Sequence, residues 1–235
     1  MSVALLVIGN EILRGDTQDT NSHFLAGELA QRGARLERIV TIPDDLELIA
    51  AMLRSMAGLF DRVITSGGIG PTPDDLTRDA VALAFGLECI LFEDAAQEWR
   101  RRKGAELNEG QLAMCTLPTG ARLIRTQSTS APGFVLGNCY VLAGVPSVMR
   151  EMWATVADEF RGPIQQIASF RVRMPESVFA PLLRRYQQQW PTLDFGSYPK
   201  MEGEWFTEIK VIGDDLEEVQ RVCRELEADI IALED

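Results

Sequence analysis

Val63-Ile64-Thr65-Ser66-Gly67-Gly68-Ile69-Gly70-Pro71-Thr72-Pro73-Asp74-Asp75-Leu76-Thr77 runs from a short apolar segment into a helical pattern that continues to Phe85. A strand, a glycine-rich bend and a helix start in direct succession make an anion-binding corner. Glycine lets the backbone approach a ligand and adopt positive φ. The first turn of a helix offers unpaired N–H groups and the positive end of a dipole. Gly67, Gly68 and Gly70 are therefore expected to supply close backbone approach, and Ser66 and Thr72 hydroxyls to phosphate. Asp74 and Asp75 repel phosphate unless a cation lies between, so the corner points to a phosphorylated ligand held through a divalent metal. Capping offers a second account of part of the run: Thr72 as N-cap, Pro73 at N1 and Asp75 reaching back as in a capping box. Capping leaves the three glycines unexplained. On the same reading Asp79, four residues beyond Asp75, shares its helix face.

Working outward, Val3–Ile8 is an apolar run closed by Gly9, and Asn21–Arg32 has helical periodicity closed by Gly33. Leu36–Ile42 predicts a second strand. Pro43-Asp44-Asp45 then opens a helix that runs to about Ala57. With Arg62–Ser66 as the third strand, three βα units follow one another, which predicts a parallel sheet with right-handed crossovers. Ligands of such sheets sit beyond the carboxyl ends of the strands. Gly9-Asn10-Glu11, Pro43-Asp44-Asp45 and Gly67–Asp75 should gather there. Asp44 and Asp45 are candidates either for capping or for the site, and Glu11 and Asp16 follow the first strand. Asp44, Asp74 and Asp75 are the expected metal or water ligands, with Mg²⁺ the ion that hard oxygen donors suit. One carboxylate would orient an attacking water in a phosphoanhydride reaction.

Beyond Gly86 the pattern predicts a strand at Glu88–Phe92, helices at Glu93–Lys103 and Asn108–Thr116, and an extended segment at Ala121–Arg125. A hairpin through Gly137-Asn138 and a helix over Val148–Phe160 follow. Arg161-Gly162-Pro163 has linker character and divides the chain into domains 1–162 and 163–235. The second carries a βαββα order: strands at Ile167–Val172, Leu193–Tyr198 and Trp205–Ile212, helices at Glu176–Gln189 and Leu216–Glu227. The expected fold is α/β, a three-layer α/β/α arrangement on a mostly parallel sheet, with a second, smaller α+β domain.

The chain has 235 residues and a net charge of −12, which argues against a general nucleic-acid binder. The dense cationic run Arg100-Arg101-Arg102-Lys103 is either a solvated helix face or a phosphate clamp. Cys89, Cys115, Cys139 and Cys223 include no CxxC pair and are expected as buried free thiols in a reducing cytoplasm. No apolar run approaches the roughly 20 residues that span a bilayer. The first nine residues predict a strand rather than a signal peptide. The single histidine, His23, lies in the first turn of a predicted helix, which excludes a histidine-rich zinc site.

Gly9-Asn10-Glu11-Ile12-Leu13 with Gly15, Asp19-Thr20-Asn21, Pro43-Asp44-Asp45 and Gly67–Thr77 together resemble the MoaB/Mog-type molybdopterin-binding domain, in the version found in the CinA (competence/damage-inducible protein A) family. Asn108-Glu109, Ser130–Phe134 and Ala143-Gly144-Val145-Pro146 match later blocks. Gly196-Ser197-Tyr198-Pro199 resembles a block of a small C-terminal domain that also occurs in eukaryotic FAD synthase. The resemblance implies a pocket for a phosphorylated pterin, such as molybdopterin, or for a nucleotide diphosphate. Through its motif blocks it adds Gly9, Asn10, Glu11, Thr77, Gly144 and Pro146 to the ligand-binding set. In the CinA family it implies metal-dependent cleavage of ADP-ribose, and in the FAD synthase relatives cleavage of FAD. It also implies self-association as a dimer or trimer. The chain departs from the family pattern at Leu112-Ala113, where a basic stretch is usual, at Val148, where a carboxylate is usual, and at Thr129-Ser130. These changes bear on catalysis more than on binding. They leave open a non-catalytic binding or assembly module, and the domain type leaves open an adenylyl-transfer enzyme of molybdenum-cofactor synthesis.

Overall fold

The apolar run near the N-terminus becomes β1 (Ser2–Ile8), whose Val3–Ile8 side chains are almost wholly removed from solvent. A strand without polar alternation is one covered on both faces. In the computed structural model, which describes residues 1–233, β1 lies inside a six-stranded sheet of the first of two units, the division falling between Gly162 and Pro163. The elements that follow are α1 (Asn10–Leu13), α2 (Thr20–Gln31), β2 (Arg35–Ile42), α3 (Leu46–Leu59), β3 (Arg62–Ser66) and α4 (Thr77–Phe85). Then come β4 (Cys89–Leu91), α5 (Glu93–Lys103), α6 (Glu109–Met114), β5 (Thr116–Pro118), β6 (Arg122–Ile124), β7 (Gly133–Leu136), β8 (Cys139–Leu142) and α7 (Pro146–Val156).

The sheet order is β2-β1-β3-β8-β7-β6. The first four strands are parallel, and β7 and β6 continue the sheet antiparallel. From β1 the chain crosses to β2 on one side, and from β3 it leaves towards β8 on the other. The reversal places a crevice between the carboxyl ends of β1 and β3, the topological switch point where open α/β sheets bind ligands. Because the β1-to-β2 and β2-to-β3 crossovers run in opposite directions, right-handed connections put α2 and α3 on opposite faces. α2 packs on α7, and α3 packs on α4. Trp153 of α7 is fully buried, 4.9 Å from Phe160, and its indole N–H donates to Glu28 of α2 at 2.8 Å. The N-terminal domain is therefore the layered, mostly parallel α/β unit that the sequence predicts.

Several boundaries differ from expectation. α4 begins at Thr77 with Leu76 in the N-cap position and no side-chain cap. Thr72, Pro73 and Asp75 therefore do not form a helix-capping box, and Asp79 does not share a helix face with Asp75. β5 pairs with β4 in a separate two-stranded sheet that shortens the expected helix before it, α6 ending at Met114. α7 starts two residues early, at Pro146. Cys89 is half-buried rather than buried; Cys115, Cys139 and Cys223 are buried, and desolvation lifts the Cys139 thiol to about 12.

The second unit contains β9 (Gln166–Val172), α8 (Glu176–Gln189), β10 (Asp194–Glu202), β11 (Glu204–Gly213) and α9 (Leu216–Ile231), the predicted βαββα order. Its antiparallel sheet runs β10-β11-β9. Val219, Val222, Cys223, Leu226 and Ile230 form the buried stripe of α9, at helical spacing, within a core that includes Phe179, Ile209 and Val211. Among the described residues no helix is long and apolar enough to cross a membrane.

Candidate functional site

Gly67 ends β3 with φ +108°, and a Cβ there would lie 2.1 Å from the Ile8 carbonyl oxygen of β1. Only glycine permits this approach of the two strand ends. Gly68 follows at φ +67°, where a Cβ would meet the Thr77 hydroxyl at 2.3 Å. Thr77 explains the bend. Fully buried, it donates its hydroxyl to the Gly67 carbonyl and its amide to the Gly68 carbonyl, each at 2.9 Å. In a trans peptide the N–H points opposite to the C=O. Drawing these two carbonyls towards α4 turns the Gly68 and Ile69 N–H groups away from it, and neither has a partner among the described residues. Arg78, also in the first turn of α4, donates to the carbonyls of Ile69 and Gly70 at 2.5 and 2.8 Å. Burial lowers the basicity of this guanidinium.

The outer half of the bend is held by Asp75. Its carboxylate accepts from the amides of Gly70 at 2.7 Å and Thr72 at 2.8 Å, and from the Thr72 hydroxyl at 2.5 Å. Asp75 Oδ1 carries one of these bonds and keeps a lone pair. Asp74 is exposed; the nearby Thr72 hydroxyl, then its own amide, hold its carboxyl below the ordinary value. The aspartates after β2 divide their work. Asp45 caps α3 by accepting from Leu48 N at 2.9 Å, while Asp44 accepts the Asn10 amide at 2.8 Å across the strand ends.

These segments surround a cavity of about 370 Å³ at the switch point, within the range of small-molecule sites. Of the expected residues, Gly9, Glu11, Asp44, Gly67, Gly68, Gly70, Thr72, Asp74, Asp75 and Gly144 line it. Four expected residues do not. Ser66 is 2% exposed, and its hydroxyl is engaged by Asn21 Nδ2 at 2.9 Å and by the Ala143 carbonyl at 3.4 Å, so it ties strands rather than binding phosphate. Thr77 aims the bend from behind. Asn10 contributes through its amide to Asp44, and Pro146 starts α7 beside a smaller cavity of about 60 Å³. Asp16 and Asp79 are also outside the lining. His23 is exposed on α2.

The site also contains residues that the sequence reading did not assign to ligand binding. Asn21, 7% exposed, donates to Ser66 and, at 2.8 Å, to the Gly144 carbonyl, joining the ends of β3 and β8. Its place in Asp19-Thr20-Asn21, one of the blocks of the family resemblance, was the available signal. Met114, Thr129, Ala131, Val148 and Met152 supply a mainly apolar wall. Of the cationic run, Arg100, Arg102 and Lys103 are engaged by Glu93, Glu98, Glu106 and Gln111, so they are not a clamp on this cavity.

The lining has four carboxylates, Glu11, Asp44, Asp74 and Asp75, and no Lys, Arg or His. An anion cannot sit among them without a compensating charge. Among the described residues no group of three or more His, Cys, Asp or Glu could hold a metal ion by itself. The donors thus fit a hard cation that takes one or two carboxylates and completes its shell with ligand phosphate and water, the habit of Mg²⁺, but not a cage built by the protein alone.

A cavity at the switch point of a mostly parallel sheet, with free backbone amides on one side and carboxylates around it, defines a small-ligand-binding α/β domain. Comparison supplies the family. Residues 4–162 match the probable molybdopterin-binding domain, so the chain belongs to that family, in its MoaB/Mog-type, CinA-like form. Residues 166–232 match the middle domain of FAD synthase. The chain is 42% identical over 170 residues to a CinA-like protein of Citrifermentans bemidjiense, covering 69% of this chain and 41% of that relative. It therefore spans less than half the length of that relative. It is 28% identical over 232 residues to a protein of Archaeoglobus fulgidus, covering 97% of each. The crystal structure of the protein CinA with unknown function from Thermoplasma acidophilum superimposes with a TM-score of 0.64 at 31% identity, covering 68% of this chain and 97% of that one.

Thr77→Val keeps the shape of the side chain and removes its hydroxyl, leaving the buried Gly67 carbonyl without that donor. The expected loss is about 1–2 kcal/mol of stability in urea denaturation, together with weaker pyrophosphate binding by calorimetry. Unaltered stability and affinity would show that the hydroxyl does not shape the bend.

Proposed function

We propose that the cavity binds a phosphorylated pterin or a dinucleotide such as ADP-ribose or FAD, and hydrolyses its pyrophosphate with the help of a divalent cation. The observation that carries this reading is the pair of unpaired amides at Gly68 and Ile69 beside a carboxylate-lined cavity that has no cationic side chain. The amides donate to a non-bridging phosphoryl oxygen. One or two of Asp44, Asp74 and Asp75, the last through its remaining lone pair, would hold Mg²⁺. When bound, the ion supplies the positive charge that these carboxylates and the phosphates both require. A carboxylate of this set orients water for attack on phosphorus. The new P–O bond forms as the P–O–P bridge breaks, and the water proton passes to a carboxylate. From ADP-ribose the products are AMP and ribose 5-phosphate. The mainly apolar wall suits the organic part of the ligand, and the free thiols fit a cytoplasmic setting.

Two observations favour a second reading, binding without turnover. Asp75 is largely engaged by its own loop, and Val148 places an apolar side chain in the lining. Incubation with ADP-ribose, FAD or molybdopterin, with and without Mg²⁺ or Co²⁺, separates these readings. Metal-dependent AMP release is expected from ADP-ribose or FAD; tight binding without products would favour the second, and an adenylylated pterin formed with ATP would point to adenylyl transfer. Asp74→Asn changes an exposed side chain and should lower AMP release by about 10- to 100-fold, the scale of one charged contact, with an unchanged circular dichroism spectrum. Full activity in that variant contradicts the role given to Asp74.

We also propose that the chain forms a dimer or trimer. Leu83, Phe85, Leu87, Ile90 and Leu91, from α4 to β4, are between 37% and 46% exposed, and such apolar clusters mark association surfaces. Light scattering should give a mass of two or three chains, and a monomer at all concentrations overturns the assignment.

A further inference from the structure

Beside the bend lies a second cleft, of about 620 Å³, that the motifs do not account for. Pro71, Trp99, Glu109, Gly110, Gln111 and Met114 line it, together with Asn108. Met114 lines the first cavity as well, and Pro71 directly follows the lining residue Gly70, so the two spaces are neighbours that share one wall residue. Gly110 lets α6 approach the bend: a Cβ there would stand 3.1 Å from the Pro71 Cβ.

Trp99 is half-buried on α5 and packs against the small core of Ala95, Ala96 and Cys115, which anchors the indole while part of it faces the cleft. Indole, proline ring and thioether are surfaces that receive the face of a flat ring. The polar groups beside them are of two kinds. Glu109 is exposed, and its carboxylate has no hydrogen-bond or ion-pair partner among the described residues. Gln111 Oε1 accepts from Lys103 Nζ at 2.9 Å and from Asn108 N at 3.1 Å, which fixes the side chain and leaves its NH₂ free to donate. A carboxylate acceptor and an amide donor beside a stacking wall match a ring that carries an amino group next to a ring nitrogen, the edge that adenine and pterin share.

We infer that this cleft is the ring subsite of the ligand, with an aminated heteroaromatic ring stacked on Trp99 while the phosphates lie at Gly68 and Ile69. The inference rests on the phosphate reading of the bend, and the test keeps the two apart. Wild-type protein, Trp99→Ala and Trp99→Phe are titrated calorimetrically, in Mg²⁺, with ADP-ribose, with a dihydroneopterin phosphate and with inorganic pyrophosphate. Trp99→Ala should weaken at least one ring-bearing ligand by roughly tenfold, the scale of one aromatic stack, and leave pyrophosphate unchanged. Trp99→Phe should retain most of the affinity, and the ligand that loses affinity in Trp99→Ala identifies the ring. Equal affinity of wild type and Trp99→Ala for every ring-bearing ligand overturns the subsite while the phosphate reading stands. Equal weakening of pyrophosphate also overturns it, because the change then acts on the bend. If wild type binds neither ring-bearing ligands nor pyrophosphate, both readings fall.

Discussion

The geometry of the site depends on one buried side chain behind it. Thr77 draws the carbonyls of Gly67 and Gly68 towards the start of α4, and planar trans peptides leave the N–H groups of Gly68 and Ile69 directed the other way. The glycines are the condition for this grip. One has no room for a Cβ against Ile8, the other none against Thr77 itself. Asn21 adds the second restraint by binding the end of β3 to the loop after β8. The donors are thus fixed before any ligand arrives, which lowers the ordering cost of binding.

Charge sets the second constraint. The cavity gathers four carboxylates without a basic side chain, and the buried guanidinium of Arg78 is spent on the carbonyls of the bend. A phosphorylated ligand must therefore bring its counter-charge with it. Under the proposed function such an arrangement would couple anion and cation binding, each lowering the electrostatic cost of the other. The incomplete protein donor set has the same consequence under the proposed function, because a ligand phosphate would have to finish the coordination shell of any bound cation.

Much of the fold was legible because β1 is an almost unbroken apolar run and two helices are followed by Gly33 and Gly86, both with positive φ. The glycine bend was legible for the same reason: no helix or strand needs Gly67-Gly68 in succession. The roles of individual hydroxyls and acids were not. Thr72 and Asp75 carry the reciprocal spacing of a capping box, and the structure uses that spacing to brace a loop before the helix begins. The same local pattern serves both purposes, and the difference lies in contacts made by Thr77. Ser66 was expected at the ligand because a hydroxyl suits phosphate, and Thr77 because it closes a motif block of the family; yet a hydroxyl also suits a backbone carbonyl, and in both residues the buried hydroxyl donates to one. Met114 and Met152 come from elements far along the chain, and Trp99 sits on a charged helix, so only tertiary packing brings them to the cleft.

The account turns on the two unpaired amides, and the direct measurement is the position of their NMR signals. In an isotope-labelled sample with Mg²⁺, addition of pyrophosphate should move the Gly68 and Ile69 amide protons downfield, as expected for new bonds to an anion, while the Thr77 amide, already bonded, moves less. Pyrophosphate that binds with the Gly68 and Ile69 resonances unmoved would place the anion elsewhere and contradict the account.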